Sequence, residues 1–299
     1  MPNVYFVVTI DTEADHSKNW FKSDPLTFKS VTESIPGTLQ PLFKKYGVFA
    51  TYLLAVEVLE NETAVDTLKS LDNCELGTHL HPEYIAPVKK YTDYEGTCSE
   101  DFSNNYSLEV ERKKIENITR LFKEKMGYQP RAYRGGKFGF ADNTASVLAD
   151  LGYTVDTSVT PGISWKNIGG PDFREMSSQP YIIRSASGDK DILEVPVSIM
   201  FSNGLSKILN RPVWLRPSFS DVGAMKKLVD KYIKIYAGKG NIVLNMMFHS
   251  MEFYPGASPY AATFEDCLRL TDRMDATIRY CRDIGVKFCK LSDLRDLYE

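Results

Sequence analysis

Short apolar runs alternate with longer amphipathic stretches along the whole chain, and this alternation restricts the fold more than any other feature. It is the pattern of β-α units laid around a parallel sheet. The strand candidates are VYFVVTI (4–10), VFATYLLA (48–55), CELGTHL (74–80), RAYRG (131–135), YTVDTS (153–158), ILEVPVSI (192–199), NIVLNMMF (241–248) and VKFCKL (286–291). Helix candidates fall at 107–127, 143–152, 221–240 and 264–285, and all four end on glycine, a common helix stop. Seven or eight such units imply an α/β fold, a (β/α)7–8 barrel, and 299 residues are enough for one. No Ser/Gly linker, repeat or low-complexity tract marks a boundary, so a single domain over 1–299 is expected.

Residues 12–34, 82–106, 158–180 and 250–262 read as long irregular connections, each following a strand. In a β/α barrel those loops build the active-site face. Thirty-six basic against thirty-nine acidic residues leave a net charge of -3, which provides no broad basic surface for nucleic acid. The start, MPNVYFVVTID, has neither a charged lead nor a cleavage site, and no run approaches the roughly twenty apolar residues of a membrane span. Cys74, Cys98, Cys267, Cys281 and Cys289 form an odd set without metal-ligand spacing. Free thiols in a cytoplasmic protein are the expectation.

The chemistry concentrates where strands end. In TIDTEADHSKNW, Asp11, Glu13 and Asp15 occupy alternate positions, so an extended backbone aims them to one side, where a cation would relieve their repulsion. Asp15 and His16 read more simply as the start of a polar loop. In CELGTHLHPEY, His79 and His81 stand two apart on a strand that Pro82 ends, and two imidazoles so placed can converge on one metal. With a carboxylate from the end of another strand they would form a two-histidine, one-carboxylate site with open positions. NIVLNMMFHSMEF delivers His249 at another strand end. In RAYRGGKFGF, Arg134 could orient a carboxylate, and Gly135 and Gly136 would let backbone approach a substrate.

In order, TIDTE, FATYLL, ELGTHLHP, YRGGKFG, LGYTVDTSV, LEVPVSI and LNMMFHSMEF resemble the motifs of the polysaccharide deacetylase family, the NodB-homology group of metal-dependent carbohydrate de-N-acetylases and esterases. The resemblance runs from residue 5 to about 250, with GVKFCKLSDL similar to the family's closing strand and helix. It implies a distorted barrel of about seven β/α units. It also implies roles: Asp11 the catalytic base, His79 and His81 metal ligands, Arg134 the arginine orienting the base, and His249 the acid. Two departures stand out. Thr12 occupies the place of the family's second, metal-binding aspartate, which makes Glu13 the expected ligand and Asp15 the alternative. The histidine spacing is His-x-His rather than His-x-x-x-His. No aspartate partner for the acid histidine is evident, and Glu194 is the candidate.

The activity implied is hydrolysis of an N-acetyl or similar group on a sugar by a divalent metal, Zn2+ foremost. A cytoplasmic address would favour a nucleotide- or lipid-linked intermediate of surface polysaccharide synthesis. Trp20, Tyr84, Trp165 and Tyr254 are loop aromatics that could stack on a sugar ring. The alternatives are a hydrolase of a non-sugar amide, formamide or ureide, and an inactive glycan-binding barrel.

Overall fold

The computed structural model describes residues 3–87, 101–185, 188, 190–201, 206 and 211–298. Its strands are β1 (Val4–Thr12), β2 (Ala50–Leu54), β3 (Cys74–Leu80), β4 (Ala132–Gly135), β5 (Val155–Asp156), β6 (Tyr181–Arg184), β7 (Asp191–Glu194), β8 (Ile199–Met200), β9 (Val213–Trp214), β10 (Ile242–His249) and β11 (Lys287–Phe288). The order β10-β1-β2-β3-β4-β5-β7 is parallel throughout and curls into a distorted barrel, with β6 antiparallel on β7 and β11 beside β1. Every expected strand is present. ILEVPVSI, however, breaks at Pro196, which cannot donate to a ladder, and becomes β7 and β8. From β7 the chain crosses to β10: Val197 N–H reaches Val159 O at 3.0 Å, and Ser198 N–H reaches Asn245 O at 3.1 Å. This segment closes the barrel without a ladder.

Helices lie outside the sheet. Leu108–Met126 opens on Ser107, whose hydroxyl accepts the Val110 N–H, and stops at Gly127 with φ 86°. Phe264–Asp283 opens on the Thr263 cap and is followed by Gly285, again at positive φ. The connection expected as irregular over 12–34 turns helical at its end: a π-helical stretch Ser30–Leu39 runs into the helix Gln40–Tyr46, and the short helices Val56–Glu60 and Glu62–Lys69 follow β2. Pro36 and short lengths hid these from a periodicity reading. Among the described residues no helix is long and apolar enough to cross a membrane. Cys74, Cys267, Cys281 and Cys289 are free, and Cys98 lies outside the described residues.

The pleat sorts each strand into two faces. On β1, Phe6, Val8 and Ile10 join the core beneath the helices, while Val7 faces the barrel interior. Val7 packs there with Leu53, Ala132, Val155, Leu193 and Val243, and Leu291 and Leu294 plug that end. Above this apolar layer lies a polar one of Thr9, Arg134, Thr157 and Asn245, all fully buried. Above that stand the strand-end residues of the site.

Gly77 on β3 belongs to the apolar interior, where a Cβ would meet Ala132 O at 2.5 Å and Leu53 Cδ2 at 2.9 Å. A backbone oxygen cannot step aside as a flexible side chain can. Gly77→Ala is therefore expected to destabilise by about 1–3 kcal/mol, read as a lower urea midpoint with an unchanged denaturant slope.

Candidate metal centre and active site

Strand pairing brings the site together before any side chain is considered. Asp11 on β1 lies in register with His249 on β10, and His79 on β3 with Arg134 on β4. His81 follows His79 by two residues and Glu13 follows Asp11 by two, so all turn toward the mouth of the barrel. There the Nε2 atoms of His79 and His81 are 3.1 Å apart, and Glu13 Oε1 is 3.3 Å from the first and 3.4 Å from the second. These three buried residues can hold one ion.

The outer nitrogens support that reading. His79 Nδ1 donates to Arg134 O at 3.1 Å, and His81 Nδ1 donates to the Glu83 carboxylate at 3.2 Å. A carbonyl or carboxylate behind each ring fixes the tautomer that turns an Nε2 lone pair inward, as metal-ligating histidines require. Two imidazoles and one carboxylate suit zinc and similar divalent ions. Burial pushes the Glu13 carboxyl up, but His81 and His79 more than offset it and hold it well below the usual range. Burial pushes His81 down, but Glu13 and Glu83 carry it up to about 10. The raised pKa favours a proton on His81, which would separate the two facing Nε2 atoms until an ion takes its place.

Asp11 has a separate set of partners. Arg134 Nη1 donates to its Oδ1 at 2.5 Å, leaving Oδ2 facing His249 Nε2 at 3.7 Å and His79 Nε2 at 3.9 Å. Burial raises this carboxyl, yet Arg134, His79 and His249 together hold it below its ordinary value. Arg134 is itself fixed by Thr157 O at 2.8 Å and Thr9 Oγ1 at 2.6 Å. On the other side, His249 Nδ1 donates to Glu252 Oε1 at 2.9 Å, and the same oxygen accepts the His249 backbone N–H at 3.0 Å. Arg216 is also paired with Glu252, which it and His249 bring down to about 2 against the upward push of burial.

Several expectations are corrected by this geometry. Glu194 does not partner His249: Leu193 and Val195 face the barrel interior, so Glu194 points away from it and accepts the Val159 N–H at 3.1 Å. Burial and the neighbouring Asp156 carboxylate raise its pKa well above the usual range. Asp15 is not at the histidine pair, because it accepts from Thr27 Oγ1, Lys29 N–H and Ser30 N–H and so pins the loop. Gly135 and Gly136 do not face the cleft. A Cβ on Gly136 would meet Leu80 O and the His81 ring, so Gly136 lets the turn lie against the end of β3, while one on Gly135 would meet Gly139 O, so Gly135 lets the turn after β4 fold back on itself. Tyr254 packs near Lys29, outside the cleft. Trp20, Tyr84 and Trp165 do line it, in a cleft of about 470 Å³.

Sequence reasoning missed Glu83, Arg216 and Glu252, and it set His16 aside although His16 lines the cleft. Glu83 and Glu252 were legible in principle, two and three residues after their histidines. Arg216 and the aromatic wall residues Phe138, Trp214, Phe219 and Tyr260 carry no spacing signal, since they meet only in the folded chain.

No family model matches the sequence, and no curated protein does. Solved structures do. Over 99% of its length the chain aligns with 90% of a protein from Mycobacterium smegmatis assigned as a polysaccharide deacetylase, at 16% identity and a TM-score of 0.58. With one from Pseudomonas aeruginosa PAO1, likewise assigned, the same shares of the two chains align at 13% identity and a TM-score of 0.59. A Puue allantoinase aligns over 99% of this chain and 90% of its own at 13% identity, TM-score 0.59. The chain thus has the fold of the polysaccharide deacetylases, a fold that an allantoinase shares.

Because Glu13 and Glu83 carry the His81 pKa up to about 10, an ion taken up by Glu13, His79 and His81 would displace a proton. Calorimetry of zinc binding near pH 7.5 in buffers of different ionisation enthalpy should show about one proton released, with affinity falling about tenfold per pH unit on acidification. Proton-neutral binding would contradict the assignment of His81.

Proposed function

We propose that the chain is a metal-dependent hydrolase that removes an acyl group from the nitrogen of an amino sugar, releasing a small acid and a free amine. The observation that carries this reading is the facing pair Asp11 Oδ2 and His249 Nε2, 3.7 Å apart, beside the Glu13, His79 and His81 cluster in one cleft. The fold shared with proteins assigned as polysaccharide deacetylases supports it. So does the cleft wall, in which the rings of Phe138 and Trp165 lie 5.9 Å apart and 15° from parallel, an aromatic surface on which a sugar ring can pack.

Glu13, His79 and His81 would hold the ion, zinc in this proposal, which when bound lowers the pKa of a water and polarises the acyl oxygen. Asp11, kept ionised by Arg134, takes the proton of the attacking water on Oδ2, the oxygen that Arg134 Nη1 leaves open. His249 then gives its Nε2 proton to the departing nitrogen, because an amide anion is too basic to leave. Glu252 holds the ring by Nδ1 so that Nε2 faces the cleft, and Arg216 keeps Glu252 ionised.

Each cleft cation already has a carboxylate: Lys22 pairs with Glu57, Lys137 with Asp101 and Arg216 with Glu252. A diphosphate finds no surplus positive charge among these residues, so an uncharged acylated sugar fits the cleft better than a nucleotide-linked one. A ureide is the second reading, favoured by the fold shared with an allantoinase.

Zinc-loaded protein should release acid from an N-acetylated chitooligosaccharide, and Asp11→Asn and His249→Gln should each lower kcat by about 10²–10⁴ while retaining the metal. Turnover of allantoin but of no acetamido sugar in the same panel would move the assignment to the ureide.

A further inference from the structure

We propose that His16 contacts the substrate directly, its Nε2 accepting a hydrogen bond from a hydroxyl of the sugar ring that bears the leaving nitrogen. The proposal rests on the amino-sugar reading above and adds a residue to it.

His16 sits at the base of a tight hairpin. It bridges to Lys22 across the loop, and Ser17 N–H bonds Phe21 O at 2.7 Å. The hairpin is anchored from three sides. His16 N–H bonds Ala257 O at 3.0 Å, Ser23 N–H bonds Asp15 O at 3.0 Å, and Lys22 pairs with Glu57 at 2.5 Å. At its tip Trp20 is held at φ 64°, a left-handed conformation that costs a non-glycine residue about 1–3 kcal/mol and is kept only where surroundings enforce it. That strain sets the indole edge-on against His16 at 5.6 Å, His249 at 5.2 Å and Tyr260 at 5.4 Å between ring centres.

The His16 ring is committed on one side only. Its Nδ1 donates to Ala14 O at 2.9 Å, so Nε2 presents its lone pair to the cleft. The nearest acidic oxygen, Glu13 Oε2, is 3.8 Å away, too far for a hydrogen bond. It is also not the Glu13 oxygen that meets the histidine pair, so His16 lies outside the metal cluster. His16 and His249 flank the same indole, and the nitrogen that receives the His249 proton belongs to the sugar. Both histidines line one cleft, so the ring carrying that nitrogen is the part of the substrate placed against His16 Nε2, and a hydroxyl is its complementary donor.

The test separates the two ring nitrogens. In His16→Asn the amide nitrogen can replace Nδ1 at Ala14 O but nothing replaces Nε2; in His16→Gln the amide extends toward the Nε2 position. With zinc-loaded protein and tri-N-acetylchitotriose, His16→Asn should raise KM about tenfold, the worth of one neutral hydrogen bond, with kcat changing by much less, and His16→Gln should recover most of the loss. In the wild type, replacing the ring hydroxyls one at a time by hydrogen should give the same loss at one position, a readout that survives if His16→Asn fails to fold. An unchanged KM in His16→Asn, or no sensitive hydroxyl, overturns the proposal. Wild-type protein that turns over p-nitrophenyl acetate but not the trisaccharide would sink the amino-sugar reading and this proposal with it, whereas turnover of the trisaccharide with KM unchanged in His16→Asn overturns this proposal alone.

Discussion

The structure turns on a guanidinium inside the barrel. Arg134 has no solvent exposure, and its donors end on Asp11 and Thr9 of β1 and on the Thr157 carbonyl just after β5, so from β4 it joins two other strands. A buried cation is costly unless every donor is met and a counter-charge lies close. Here the counter-charge is Asp11, so the same contact that makes Arg134 tolerable keeps Asp11 ionised and aimed. Asn245 extends the polar layer, its amide reaching Thr9 at 2.9 Å and Thr157 at 2.8 Å. The layer ties β1, β4, β10 and the residues after β5 into one unit. Directly above it stand Glu13, His79, His81 and His249, carried at the ends of β1, β3 and β10.

What could be read from the chain follows from strand parity. Asp11 with Glu13, and His79 with His81, are pairs at i and i+2 at strand ends, and such pairs share a face whatever the barrel's details. The same rule, applied to LEVPVSI, would have excluded Glu194, because Leu193 and Val195 are the inward pair. Parity was informative there and resemblance was not. The strands were legible because alternation and apolar runs report burial on one or both faces. The π-helical stretch after residue 30 was not, since neither its period nor Pro36 matches an ordinary helix.

The rest of the site was hidden for another reason. Arg216 reaches Glu252 across a gap of 36 residues, and Trp20 finds His249 across a far longer one. Contacts of that kind leave no periodic trace. His16 was passed over because a histidine after a strand in a polar stretch is most simply a loop residue; only the bond of Nδ1 to Ala14 and the packing of Trp20 show which nitrogen is left over. Local chemistry announces ligands supplied by one strand, while residues that shape a cleft are announced only by the fold.

One feature of the barrel bears on its mechanics. Around most of the circumference each strand is laced to the next by a parallel ladder, but between β7 and β10 the joint is made by Val197, Ser198 and the side chain of Asn245. A ladder parts only when several bonds break together, whereas these few bonds can give way singly. Slow amide exchange would trace that asymmetry around the ring, fastest along this line. His249 lies four residues beyond Asn245 on the strand that borders this joint, and the full ladder between β10 and β1 sets Asp11 directly opposite it.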